Sequence, residues 1–398
     1  MATTAQIYEI LNSINAQANT GATIVKSDAT FISYGDTIVN LSDEGKETWF
    51  ATLVDRIGQT IIDNRAYFAK TVTPLWKSPF EYGAILQKIH TKLQSTSADN
   101  AFNNPSGHGY STDPMTPVVR NVEQRFYGKQ TVWQIKDSIP DIQLKTAFTS
   151  AERMAAFLNS LMLTTQNNIE RSMENLANFT RSALMAKTYL AGGAKVVKLA
   201  TAYNTAMGYT SSDAGYVTPG DAGCLYNRDF LRFASLQIAL KLDQMQHMTQ
   251  IFAKEGYDRF TPREFLTISV LGQFDDSVSS YLAADTYHAK MVELPDENKY
   301  IAPFWQGTGS GFGFADASKI SVKLKDAGTD PSEDPEVNLT KAGIIALIND
   351  SEAAGMTLDE RRVRSIYNPD AEVTNYFHKM RERWFVDDTQ PAVIFTIE

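Results

Sequence analysis

The chain has 398 residues, 43% hydrophobic and 21% charged, which is ordinary for a soluble globular protein with room for a large core and two or three domains. Its 46 acidic and 37 basic residues leave a formal charge of −9, which argues against a protein that grips nucleic acid with a broad basic face but still permits a local basic patch. A single cysteine, Cys224, excludes an intrachain disulfide and a cysteine metal cluster, and fits synthesis in a reducing compartment.

Met1–Asn19 carries neither the basic region nor the apolar run of a targeting peptide. No window approaches the ~18 apolar residues of a membrane span. Residues 1–45 are rich in Thr, Asn, Ser and Gly with short apolar pieces such as Ile7 to Ile14, so they read as an arm. Residues 46–69 read as a helix, with Trp49, Leu53, Ile57 and Ile61 on one stripe before Pro74 and Pro79. Residues 81–137 read as a long two-stranded excursion. Ile85 to Leu93 alternates, a polar tip from Ser95 to Pro117 follows, and Val118, Val122, Phe126, Val132 and Ile135 mark the return. A lone hairpin is not stable in water, so it must lie on another surface, either its own domain or a neighbouring subunit. Residues 150–190 carry the strongest signal. Thr149 and Glu152 form a capping box, Met154, Leu158, Leu161, Thr165, Ile169, Met173, Leu176 and Leu184 mark one face, and Gly192 and Gly193 stop it. A helix of about 40 residues is ~60 Å long, so the subunit is elongated or the helix breaks near Gln166 to Asn168.

Beyond it, Asn227 caps a helix running to about Met248, Phe265 to Leu271 has a buried-strand pattern, and Gln273 to Tyr287 reads as the following helix. Lys290 to Leu294 reads as a strand. Residues 302–317 form a loop rich in Gly, Ser, Phe and Trp. Ile320 to Leu324 alternates like a strand, Asp326 to Asn338 reads as an exposed acidic loop, and Ile344 to Ile348 as a buried strand. Arg361 to Ile366, Val373 to Val386 and Ala392 to Ile397 read as closing strands.

Little in this chain points to catalysis. His90, His108, His247, His288 and His378 have no metal-ligand spacing and read as scattered surface or tip residues. The GTGSGFG run, Gly307 to Gly313, is neither a dinucleotide fingerprint nor a Walker loop. The neighbours Asp387 and Asp388, like Asp275 and Asp276, point apart on any regular element and so make no acid–base couple. No GxSxG elbow is present. Cys224 is expected to be a buried, inert thiol. The expectation is therefore no catalytic, cofactor or metal residues. The loop aromatics Phe304, Trp305, Phe312 and Phe314 read as a contact surface, and the charge run Asp359, Glu360, Arg361, Arg362 and Arg364 as a solvated face or an intersubunit ion-pair site.

Three stretches go further. WFATLVDRIGQTII (Trp49 to Ile62), QTVWQIKDSIPDIQLKTAFTSAERMAAFLNSLM (Gln130 to Met162) and NYFHKMRERWFVDDTQPAVIF (Asn375 to Phe395) resemble, in that order and spacing, the major head proteins of short-tailed phages of the small Bacillus-phage type. The similarity covers about residues 47–190 and 361–397 and is weak between them. It implies an α+β chain with the Hong Kong 97-type capsid fold. The expected layout is an N-terminal arm at 1–45, a peripheral-domain helix at 46–70 and an extended hairpin loop at 71–137. A peripheral domain with the spine helix at 138–195, an axial domain at 196–358 and C-terminal strands returning to the peripheral sheet at 359–398 complete it. An appended immunoglobulin-like domain and a cleaved propeptide are not expected. The implied function is a major capsid protein assembling into hexamers and pentamers around packaged double-stranded DNA, which it would hold without sequence-specific contacts. The implied partners are other copies of itself, a separate scaffolding protein, a portal and head fibres or decoration proteins, with no membrane. The implied location is the virion capsid, and the host cytoplasm during assembly. Expected assembly contacts are Lys88, Lys92, Arg120 and Arg125 in the hairpin, Trp305 and Phe312 in the loop, and Arg361 and Arg362. A bacterial nanocompartment shell shares that fold, and its gene neighbourhood would lack portal and scaffold. A hydrolase with an unrecognised site is the rival of another class, separable because an enzyme runs as a small oligomer.

Overall fold

A computed structural model of the chain describes residues 4–18, 28–39, 86–93, 122–127, 130–140, 151–254, 257–282, 298–306, 316–325 and 336–398, with isolated residues between them. The helices are α1 (Thr4–Ala18), α2 (Asp28–Val39), α3 (Ala151–Ala191), α4 (Leu199–Met207), α5 (Arg228–Met245) and α6 (Gly272–Leu282). The strands are β1 (Leu86–Thr91), β2 (Val122–Tyr127), β3 (Gln130–Pro140), β4 (Val196–Lys198), β5 (Leu266–Leu271), β6 (Lys299–Ala302), β7 (Ile320–Lys325), β8 (Glu336–Lys341), β9 (Ile344–Asp350), β10 (Ala354–Asn368), β11 (Val373–Val386) and β12 (Ala392–Thr396). The chain forms two compact units. One comprises Met1–Pro79, Gln130–Ala177 and Met356–Arg383, the other Phe80–Lys129, Asn178–Gly355 and Trp384–Glu398.

In the first unit, residues 1–45 are not simply an arm. Ile7, Leu11 and Ile14 recur at helical spacing, and Leu11 and Ile14 are fully buried with Tyr34, Ile38 and Trp49. Asn12 clamps the chain back on itself, its amide donating to the Val25 carbonyl at 3.0 Å and its oxygen accepting from the Val25 N–H at 2.7 Å. The Trp49 indole donates to the Tyr34 hydroxyl at 2.8 Å. Composition alone hid this small core, because its polar residues outnumber the few apolar ones that do the packing. Beyond Trp49 the expected helix at 46–69 falls largely outside the described residues. The three-stranded sheet has the order β10-β11-β3, with β3 antiparallel to β11 from Val373↔Pro140 to Arg383↔Gln130. Along β11 burial alternates, so Thr374, Tyr376, His378, Met380 and Glu382 share the covered face. The Trp133 indole reaches the fully buried Glu382 carboxylate at 3.1 Å.

The long helix is present as one unbroken element of 41 residues, with no interruption at Gln166 to Asn168. Thr165, Ile169, Met173 and Leu176 are buried as the apolar stripe requires. It stops because Gly192 sits at φ 65° and ψ −153°, backbone that a side chain would oppose, and Gly193 follows at φ 61°.

The second unit is built on a five-stranded mixed sheet in the order β4-β12-β9-β5-β6. Strands β9 and β5 are antiparallel neighbours, and every residue of both is buried. Continuous apolar runs of this kind belong to strands covered on both faces. Helix α5 buries Phe230, Leu231, Ala234, Ile238, Leu242 and Met245 in the same core, and Asn227 caps it by accepting from the N–H groups of Asp229 and Phe230. Cys224 lies in this core, and burial pushes its thiol up to about 12.

Three expectations change here. The tail does not return as one block to a single sheet. β11 serves the first unit's sheet, while β12 inserts between β4 and β9, because AVIFT is buried at every residue and suits a central strand. The return leg of the excursion also divides. β2 pairs with β1, but Gln130–Pro140 leaves to pair with β11. And Glu336 to Asn338 is already strand β8, paired with Lys325 to Lys323 of β7, so the acidic loop is shorter than expected. The expected strand at Lys290 to Leu294 lies outside the described residues.

Candidate assembly site at the hairpin root

The hairpin root is a two-stranded ladder with Leu86 opposite Tyr127, Lys88 opposite Arg125 and His90 opposite Glu123 on one face. Gln87 opposite Phe126, Ile89 opposite Gln124 and Thr91 opposite Val122 form the other face. The first face therefore sets two cations directly across from each other, a destabilising cross-strand pair unless carboxylates answer it. Asp387 and Asp388, in the turn after β11, supply them. The Lys88 ammonium lies 3.2 Å from Asp387 Oδ2, donates to the Glu352 carbonyl at 2.7 Å and sits 4.7 Å from the Phe385 ring centre. Arg125 meets Asp388 at 2.6 Å and Glu123 at 3.1 Å. The two carboxylates indeed face different partners and form no acid–base couple.

Asp387 is fully buried, and its Oδ1 accepts from the Thr389 N–H at 3.0 Å and the Thr389 hydroxyl at 2.6 Å. Burial alone would raise its pKa. Lys88, both Thr389 donors and the Tyr127 hydroxyl outweigh that and hold the carboxyl below its ordinary value. Burial likewise works against the Arg125 cation, but Asp388 and Glu123 hold its proton more firmly than usual. The Glu123 carboxyl is lowered chiefly by the hydrogen bond from Tyr257, whose own hydroxyl burial pushes up to about 12.

His90 completes the face and is not a surface or tip histidine, being only 4% exposed. The Arg259 guanidinium donates to its Nδ1, and its Nε2 faces the Thr389 hydroxyl at 3.4 Å and Asp387 at 3.8 Å. A donor on Nδ1 fixes the neutral tautomer with the proton on Nε2. Burial lowers its pKa, Arg259, Lys88 and Arg125 add to the fall, and Asp387 opposes it. His378 is buried too, in the first unit, and burial also lowers its pKa. This arrangement offers no activated nucleophile. It is a set of fixed charges holding a ladder in register, and among the described residues no group of His, Cys, Asp and Glu is placed to hold a metal ion.

Of the expected contact residues, Lys88 and Arg125 are thus drawn together and bonded to their own chain. Lys92 lies 5.0 Å over the Tyr257 ring, and Arg120 is exposed. Trp305 is a correction, since it is 1% exposed and its indole donates to the Ile344 carbonyl at 2.8 Å, making it a core residue and not a contact surface. Phe312 lies outside the described residues. Arg361 and Arg362 lie on β10 of the other unit, where Arg362 and Arg381 share the Glu360 carboxylate. Sequence reasoning missed Asp387, Thr389, Tyr257, Arg259 and the role of His90. No local signal could have found them, because the register that sets Lys88 opposite Arg125 and the carboxylate that answers Lys88, 299 residues on, are decided only by folding.

The outer face stays open. Ile89, Val122 and Phe126 are 60%, 49% and 57% exposed, so a ladder anchored on one side presents apolar residues on the other.

The fold is shared with a chain of the capsid structure of Staphylococcus phage Andhra, at a TM-score of 0.52 and 9% identity over 82% of this chain and 83% of that one. A chain from the structure of the head fiber and inner core protein of native bacteriophage P68 gives 0.53 at 10% identity, over 81% and 83%. These likenesses define the class as an α+β protein of the Hong Kong 97-like phage capsid fold. The sequence then places it within that class. Residues 9–396 match the model of the Phi29-like phage major capsid protein family, and the chain belongs to that family. It is also 28% identical over 119 residues to a major capsid protein of Bacillus phage GA-1, a stretch that spans 30% of this chain and 24% of that relative.

Proposed function

We propose that the chain forms a phage head shell by assembling into hexamers and pentamers around packaged double-stranded DNA, and that its role is structural and not catalytic. The observation that carries the reading is the hairpin root, clamped on one face by its own chain and left with Ile89, Val122 and Phe126 open on the other. In this reading the open face and the tip beyond it lie on the next subunit, where burial of apolar surface supplies the association energy. Lys92 and Arg120 in the hairpin, and Arg361 and Arg362 on β10, make polar contacts with neighbouring subunits. A separate scaffolding protein, a portal and head fibres or decoration proteins are the further partners. Assembly takes place in the host cytoplasm and ends in the virion capsid. A net charge of −9 suits a wall that encloses DNA without holding it tightly.

Deletion of the tip, Ser95 to Pro117, tests this with scaffold co-expressed and particles counted by electron microscopy. Soluble capsomers or monomers are expected in place of shells. Normal shells from the deleted chain would remove the hairpin from the assembly mechanism.

A further inference from the structure

Burial alternates along β10 and β11, so each strand turns one row of side chains away from the covered face of the first unit's sheet. Arg362 and Arg381 both meet the Glu360 carboxylate, which puts the outward rows of the two strands on the same side. Lys136 of β3 stands directly opposite Phe377 of β11 and joins that side. Beyond Glu360 the face carries Arg364 and Ile366 from β10, Phe377 and Lys379 from β11, and Val132 and Lys136 from β3. Lys136, Arg364 and Lys379 are exposed, and among the described residues none of the three has a carboxylate partner. Lys136 has only the Phe377 ring, 5.9 Å from its ammonium. Asp137, opposite the buried Tyr376, faces the other way, and Asp370 and Glu372 stand in the turn between β10 and β11. Three positive charges therefore share one open face in a chain whose net charge is −9. Their placement is the reverse of a protein interface, which gathers apolar anchors at its centre and keeps charge to its rim. Here the central strand presents Lys379 beside a half-buried Phe377, while the exposed apolar residues, Ile366 at 55% and Val132 at 63%, stand on the two edge strands.

We propose that this face of the sheet binds the phosphate backbone of double-stranded DNA through Lys136, Arg364 and Lys379. The proposal rests on the reading of the chain as a shell around packaged DNA and names the surface that touches the contents. Three cations on adjacent strands about 4.8 Å apart suit a polyanion that carries one charge per ~1.7 Å of its axis. Contacts to phosphate carry no sequence information, as a container for any DNA requires. Three contacts per subunit also make a weak hold, in keeping with a wall that is acidic elsewhere.

The test is fluorescence anisotropy of a short labelled duplex titrated with the full-length chain at several salt concentrations. At about −0.9 per phosphate contacted, three contacts give log K against log salt a slope of about −2.7. Duplexes of unrelated sequence should bind equally. The triple variant Lys136→Gln, Arg364→Gln, Lys379→Gln should weaken binding at low salt at least tenfold and bring the slope near zero. Lys254→Gln, an exposed lysine of the second unit, should leave both unchanged. Glu360→Gln should tighten binding several-fold, a gain that misfolding cannot imitate. No binding by the unaltered chain at low salt, or an unchanged slope in the triple variant, overturns the proposal. So does polyglutamate that binds this face more tightly than DNA of equal charge, which assigns it to an acidic protein segment. Shells that form from a chain without DNA binding overturn this proposal alone, whereas DNA binding without shells upholds it and counts against the shell reading.

Discussion

Replacing Asp387 by Ala removes the carboxylate that bonds Lys88 at 3.2 Å. The Asp387 side chain is 0% exposed and that of Lys88 13%, so the ammonium would be left with little water to replace its partner. Deleting one member of a buried pair costs about 3–5 kcal/mol. Lys88 keeps the Glu352 carbonyl and the Phe385 ring, which places the loss at the lower end, about 3 kcal/mol. At roughly 2–4 °C per kcal/mol for a domain of this size, melting should fall by about 6–12 °C. Hydrogen exchange locates the effect. Amides of Leu86–Thr91 and Val122–Tyr127 should lose protection while those of Leu266–Leu271 and Ile344–Asp350 keep theirs, because the latter lie in the buried sheet. Substituting Lys88→Met together with Asp387→Leu should recover much of the loss, since apolar groups of similar volume need no charge partner. A loss below about 1 kcal/mol for Asp387→Ala, or a double variant less stable than the single one, refutes the view that this pair anchors the hairpin.

Acid should loosen the same root. His90 has a folded pKa below its ordinary 6.5, so its contribution is fully present above that value and is lost as pH falls through the lowered folded value, when the ring must take a proton among Arg259, Lys88 and Arg125 with only Asp387 and Glu123 in compensation. Exchange of the β1 amides against pH should show this loss, and His90→Gln should flatten it, with any acid-dependent loss that remains in the first unit assigned to His378. Asp387, whose pKa is also lowered, adds a second loss only below about pH 4. Trp305→Ala should destabilise the chain by about 3–5 kcal/mol in chemical denaturation. A stable subunit that merely assembles poorly would return Trp305 to the surface role first expected of it.

Periodicity made much of the fold legible. The stripe from Thr165 to Leu176 specified the long helix, Asn227 specified a cap, and the apolar runs at Leu266 to Leu271 and Ile344 to Ile348 announced strands covered on both faces. What periodicity does not carry is partnership. Ala392 to Thr396 reads as a strand whichever sheet takes it, and only pairing with β4 and β9 decides. The N-terminal core escaped notice because a few apolar residues and one asparagine clamp carry it within a polar sequence. The anchor was hidden for a related reason. Lys88 and Asp387 are 299 residues apart, and no local pattern in either segment points to the other. Trp305 was misplaced because a glycine-rich neighbourhood suggested a surface, while burial was set by Ile344.

That separation has a consequence in time. A ribosome adding about 5–20 residues per second needs on the order of 15–60 s to travel from Lys88 to Asp387. Once Arg125 has been made, the hairpin strands exist for the rest of that interval with Glu123 but without Asp387 and Asp388, and the facing Lys88 and Arg125 repel each other. The clamp closes only when synthesis has passed residue 388, and β12, an interior strand of the second unit's sheet, follows within a few residues. The order of the residues along the chain thus makes this clamp one of the last contacts that can form.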